Sequence, residues 1–198
     1  TSRSMALEDT PKAAALHQLA ALFATAAANS RCSHSVWTTG DGFHRIANDT
    51  QPPSAWGEIA LNSALPFEEA FGLMPPRLRR QGIRVIISDL FWPGDPLPTL
   101  RKLTEGAAAV HVVQLLARED VEPPEPGNVV LRDHETGETL SLYIDATIQQ
   151  RYRETLKRLQ QSWHDATKQT GASLATLLAH QVPDTLSRLE EINALEPA

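Results

Sequence analysis

The chain of 198 residues has one cysteine, Cys32. A single thiol rules out an internal disulfide framework and any zinc site built from several thiolates. Positive charge is also scarce: 18 Lys and Arg face 24 Asp and Glu, a net charge of −6. With no basic excess to neutralise phosphates, nucleic-acid binding is not expected. No apolar run approaches the roughly 20 residues that a membrane helix needs, and no signal peptide is visible. A Gly-rich phosphate loop with its Lys, a Gly-x-Ser-x-Gly nucleophile elbow, internal repeats and low-complexity segments are all missing as well. These absences leave an acidic globular protein of a reduced compartment, expected to be cytoplasmic. Its hydrophobic content of 41% is ordinary for one sizeable core.

The pattern that is present reads as alternating strands and helices. Residues 7–29 form the first expected helix, with Asp9 or Thr10 as cap, Pro11 in the first turn, and Leu16, Leu19, Phe23 and Ala27 at helical spacing. Residues 32–38 read as a strand opened by a buried Cys32. The turn at Thr39-Gly40-Asp41-Gly42 then leads into a second short strand over 43–47. Helical pieces follow over 55–61 and 66–80, the second interrupted by Pro75-Pro76. The basic burst Arg77-Leu78-Arg79-Arg80 suits a solvated helix end.

Residues 83–88 (IRVIIS) and 109–116 (AVHVVQLL) are nearly continuous apolar runs, as expected of buried parallel strands, with a short helix over 97–105 between them. Residues 118–127 read as a loop, and 128–132 with 139–144 as an edge hairpin. A long helix from Asp145 carries Ile148, Tyr152, Leu156, Leu159, Trp163 and Ala166 on one stripe. Helices over 173–180 and 184–195 close the chain, with Asp184 able to cap the last. The alternation predicts a doubly wound, mostly parallel α/β sheet over residues 1–144 and a C-terminal helical extension over 145–198 packed on it.

Chemistry concentrates at two places. Ser2 and Ser4, spaced i, i+2, and Asp89, at the end of an apolar strand, would make an oxygen-rich patch of the kind that suits hard divalent cations. The plainer alternative is that the serines cap the following helix and Asp89 caps a loop. Phe91 and Trp92, just after Asp89, are either an aromatic rim for a partner or packing under the next helix. His111 is expected in the core or at its edge. His17, His34 and His44 lack an i, i+4 histidine partner, which removes a helical zinc motif.

The segments Thr1-Ser2-Arg3-Ser4-Met5, 85–90, 111–116, Glu119, 133–138 and 145–152 together resemble a bacterial family of unknown function, of the DUF58 type. That family has a von Willebrand factor A-like domain and is often encoded beside MoxR-type AAA+ ATPases. The resemblance implies a Rossmann-like sheet with a metal-ion-dependent adhesion site of pattern Asp-x-Ser-x-Ser, a distant Thr and a distant Asp. Ser2 and Ser4 match its serines, Asp89 its distant aspartate, and Ser63 stands nearest to its threonine. The first aspartate, and a central strand carrying it, would precede Thr1. The implied ion is Mg²⁺, or Mn²⁺ or Ca²⁺ in its stead, with a partner carboxylate completing its shell. The implied role is a non-enzymatic protein-interaction module working with a MoxR-type ATPase in complex assembly or activation.

Two rivals stand beside this expectation. In one, the site has decayed and the chain is a metal-free scaffold that binds through Ile148, Tyr152 and Trp163 of its long helix. In the other, residues 86–91 (IISDLF) start a phosphatase-type hydrolase with Asp89 as nucleophile. That chemistry wants a second aspartate two residues on, where the chain has Phe91, and the next is Asp95.

Overall fold

In a computed structural model, the described residues are 5, 10–56, 59, 61, 65, 67–92, 94–132, 138–182 and 187–195. A parallel sheet of three strands lies at the centre, in the order β3 (Ile83–Ser88), β4 (Ala109–Leu116), β7 (Ser173–Leu178). Val85 stands opposite His111, and His111 opposite Ser173. Two antiparallel hairpins stand apart from this sheet: β1 (Trp37–Thr39) with β2 (Phe43–Arg45), and β5 (Gly127–Arg132) with β6 (Thr139–Ile144).

The period-2 alternation of β4 feeds two cores. Val113 and Leu115 pack with Leu16 and Leu19 of α1 (Lys12–Asn29), Leu177 of β7 and Leu189 of α6 (Ser187–Glu191). Val110 and Val112 pack on the other face with Leu100 of α3 (Pro96–Thr104) and with Trp163 and Ala166 of α5 (Ala146–Thr170). The sheet therefore has helices on both sides, as a parallel sheet requires in order to hide both faces. This is a mixed α/β architecture of Rossmann-like type.

Local sequence explains the helices. α1 is alanine-rich, the strongest intrinsic helix former. α5 starts where the Asp145 carboxylate accepts the Ile148 N–H at 2.8 Å. It stops where Gly171 takes φ +71°, a conformation that costs glycine little. α2 (Phe67–Leu73) ends ahead of Pro75-Pro76, as the prolines dictate.

Several expectations need correction. The helix expected over 173–180 is instead β7. A short apolar run does not by itself distinguish a buried strand from a helix, and here the open edge of β4 captures it as a parallel strand. The segment 145–198 thus contributes a strand to the sheet besides its helices. The strand expected over 32–38 is reduced to β1, and Cys32 is exposed rather than buried. The loop at 118–127 contains one helical turn, α4 (Arg118–Val121). Among the described residues, β3 pairs with β4 alone, and it is only half-buried, with Ile83 on the surface. Of the helix expected over 55–61, Ala55 ends a 3₁₀ turn (Pro53–Ala55), and Trp56, Ile59 and Leu61 are not helical.

Candidate functional site

The carboxyl ends of β3 and β4 carry a buried polar cluster, at the end of the sheet where open α/β folds bind ligands. Asp89 directly follows β3 and is 2% exposed. Its Oδ2 lies 3.2 Å from the Nζ of Lys12, the first residue of α1. The same Nζ lies 2.8 Å from Oδ2 of Asp120 in α4. Lys12 is wholly buried. A buried ammonium is tolerable only when paired, and here two carboxylates pair with it.

Each carboxylate is also held by the backbone. Asp120 Oδ2 accepts the Ala117 N–H at 2.8 Å, closing the turn that follows β4. Tyr152 of α5 donates its hydroxyl to the Asp120 carbonyl at 2.8 Å. Burial pushes the Tyr152 phenol up from its ordinary pKa, and the negative charge of Asp120 adds to this. On the sheet, Gln114 is buried; its amide donates to the Asp89 carbonyl at 3.1 Å, and its Oε1 accepts the Thr176 hydroxyl of β7 at 3.0 Å. All three strands of the sheet are tied to this cluster.

The chain leaves the cluster through a strained residue. Leu90 has φ +61°, unusual for a branched side chain. Its N–H donates to Ser88 Oγ at 3.1 Å, its side chain is fully buried, and its carbonyl accepts the Trp163 indole N–H at 3.1 Å. The turn leaves Phe91 37% exposed, with Lys12 Nζ 5.7 Å from its ring centre. Trp92 instead stacks on Phe67, 4.3 Å between centroids at 9°, and meets Trp163 edge-on at 4.9 Å. Of the two aromatics, Trp92 packs under its neighbours, and Phe91 is partly exposed.

Of the residues expected to hold a metal, Asp89 lies at the site, while Ser2, Ser4 and Ser63 fall outside the described residues. Among the described residues, no three His, Cys, Asp or Glu side chains are grouped to hold an ion. The two carboxylates that are present share an ammonium, so a divalent ion on Asp89 Oδ2 would sit beside the Lys12 charge. The described donor set therefore does not fit a divalent cation. Asp49, also buried, is engaged elsewhere: the Arg45 guanidinium holds it through two bonds of 2.8 Å. Burial raises the Asp49 carboxyl pKa, but the Arg45 and Val36 hydrogen bonds outweigh this and hold it below the usual range.

Lys12, Asp120 and Gln114 were not among the residues expected from the sequence. For Lys12 a signal existed: a cation in the first turn opposes the helix dipole, so its position there calls for nearby anions. Asp120 lies in a stretch read as loop, and nothing in its spacing points to Lys12. Of the helical stripe, Trp163 is buried, whereas Tyr152 is partly exposed while its hydroxyl is bonded to the Asp120 carbonyl.

The class defined by this geometry is a mixed α/β protein with a parallel sheet and a charged cluster at its carboxyl end. Residues 58–162 match the family described as Protein of unknown function DUF58, and the chain belongs to that family. Asp89, Gln114, Asp120 and Tyr152 fall inside the matched region; Lys12 and Thr176 fall outside it. An uncharacterized protein of Mycobacterium avium is 35% identical over 101 residues, covering 50% of this chain and 58% of that protein. The match thus spans little more than half of the relative's length. Among solved structures, a conserved hypothetical protein, BatB from Bacteroides thetaiotaomicron, superposes with a TM-score of 0.49 at 12% identity, covering 98% of this chain and 95% of that one.

Proposed function

We propose that this chain is a non-enzymatic protein-interaction module that makes its contact at the carboxyl end of the parallel sheet. The observation that carries the reading is the strained turn at Leu90. A backbone conformation costing of order 1–3 kcal/mol persists only where the surroundings enforce it, and such strain gathers at functional sites. Here Ser88, Trp163 and the buried Leu90 side chain enforce it, and the result is an exposed Phe91 over a rigid, charge-paired base. The von Willebrand A-like version of the fold belongs to this reading, as does a MoxR-type AAA+ ATPase as partner in complex assembly or activation. Both rest on the family resemblance.

A phosphatase-type hydrolase finds little support. Asp89 is buried under Lys12, and the position two residues on, where such chemistry wants an acid, is Phe91. The metal-dependent version, with Mg²⁺ on Ser2, Ser4, Ser63 and Asp89, draws support from the serine motif. The Lys12 pairing favours the metal-free version.

The test is calorimetric binding of the full protein to a MoxR-type ATPase from the same genome at constant Mg²⁺, with wild type, Phe91→Ala and Asp89→Asn in parallel. Affinity lost in Phe91→Ala, with its thermal unfolding unchanged, is the expected result. Binding unaffected by Phe91→Ala overturns the proposed contact. Phosphate release from p-nitrophenyl phosphate that disappears in Asp89→Asn overturns the non-enzymatic reading.

A further inference from the structure

We infer that the ammonium of Lys12 is the resident cation of the strand-end cluster, bridging Asp89 and Asp120 where a divalent ion would otherwise sit. This end of the sheet is then assembled without a metal. The inference deepens the reading of this end as a contact surface, but its test needs no partner.

Three observations carry it. The first is the bridge itself: one nitrogen lies 3.2 Å from Asp89 Oδ2 and 2.8 Å from Asp120 Oδ2, so it is shared between segments that follow two neighbouring strands. The second is burial. Lys12 is wholly enclosed, so its charge has no route into water that would leave the carboxylates to another cation. An oxygen-bound divalent ion stands roughly 2.0–2.6 Å from its ligand. On Asp89 Oδ2, such an ion would crowd the ammonium inside a poorly screened interior, where like charges repel strongly.

The third is position. Lys12 opens α1, where the helix dipole disfavours a cation. The two carboxylates compensate for that placement, and in return the lysine anchors α1 over the ends of β3 and β4. A cationic charge at this place is therefore encoded in the chain, and it fastens three sequence-distant segments at one point.

Two measurements on the full protein test this. Wild type is titrated separately with MgCl₂, MnCl₂ and CaCl₂ by calorimetry, beside Asp89→Asn. Thermal unfolding is then compared for wild type, Lys12→Met and the double variant Lys12→Met/Asp89→Asn. The expected results are no saturable heat in wild type, a clear loss of Tm in Lys12→Met, and partial recovery in the double variant, because it no longer holds two negative charges that have lost the shared ammonium. Saturable ion binding in wild type that Asp89→Asn abolishes overturns the inference. So does a Lys12→Met protein as stable as wild type, or a double variant no more stable than Lys12→Met. Should neither variant fold, the wild-type titration decides alone: saturable binding lost in Asp89→Asn overturns the inference, and its absence supports it.

Discussion

Trp163, in α5, donates its indole N–H to the carbonyl of Leu90 at 3.1 Å across 73 residues of chain. The bond satisfies a buried carbonyl at the one described residue of the β3 exit whose backbone is strained. Trp163→Phe keeps an aromatic ring but leaves that carbonyl without its donor and opens a small void. The expected cost is about 2–4 kcal/mol, read as a lowered urea midpoint with an unchanged slope.

The conformation of Leu90 predicts an inverted order for two substitutions. Both Leu90→Ala and Leu90→Gly remove a fully buried side chain, so both destabilise. In ordinary backbone, glycine is the worse of the two. At φ +61° the alanine Cβ is strained and glycine is not, so Leu90→Gly is expected to be the more stable variant, by about 1 kcal/mol. Parallel urea unfolding of the two proteins checks the order.

Gln114 predicts coupling across the sheet. Gln114→Leu strips the Asp89 carbonyl of a donor and the Thr176 hydroxyl of an acceptor, both in or near the core. About 2–4 kcal/mol of stability is expected to be lost. Adding Thr176→Val removes the orphaned hydroxyl, so the double variant should be more stable than additivity predicts. A double-mutant cycle in urea measures the difference.

His111 predicts a pH dependence. Burial between β4 and β7, with Nδ1 2.7 Å from Ser173 Oγ, lowers its pKa below the ordinary value. The folded state therefore holds the imidazole neutral at pH values where the unfolded chain takes up a proton. The stability linked to this group is complete above the unfolded pKa of about 6.5 and is lost as pH falls below it towards the folded value. His111→Asn should flatten the fall in urea midpoint between about pH 7 and pH 5.

The sequence made some features legible and hid others, for physical reasons. β3, β4, the β5–β6 hairpin and α5 were readable because each is long, or bounded by Gly, Pro or a capping Asp, and strongly patterned. β7 was not. Its run SLATLL follows a long helix and fits either state, and the edge of a strand some 60 residues earlier decided it. Asp89 was legible as a carboxylate at the end of an apolar strand. Its ammonium partner was not, since the pairing spans 77 residues and depends on how α1 settles on the sheet. Cys32 misled because a short apolar stretch suggested a longer strand than the three-residue β1 that forms.

The placement of β7 beside β4 bears on where this fold can be divided. The family-matched stretch 58–162 contains β3, β4 and Asp89, but it lacks β7, α1 and Lys12. Cut out by itself, it would present one flank of β4 as a row of unpaired backbone groups, an open template for aggregation. It would also leave Asp89 and Asp120 without the Lys12 ammonium. The smallest cooperative unit is thus wider than the segment by which the family is recognised, and its ends are fastened by a salt bridge at one side and a strand at the other.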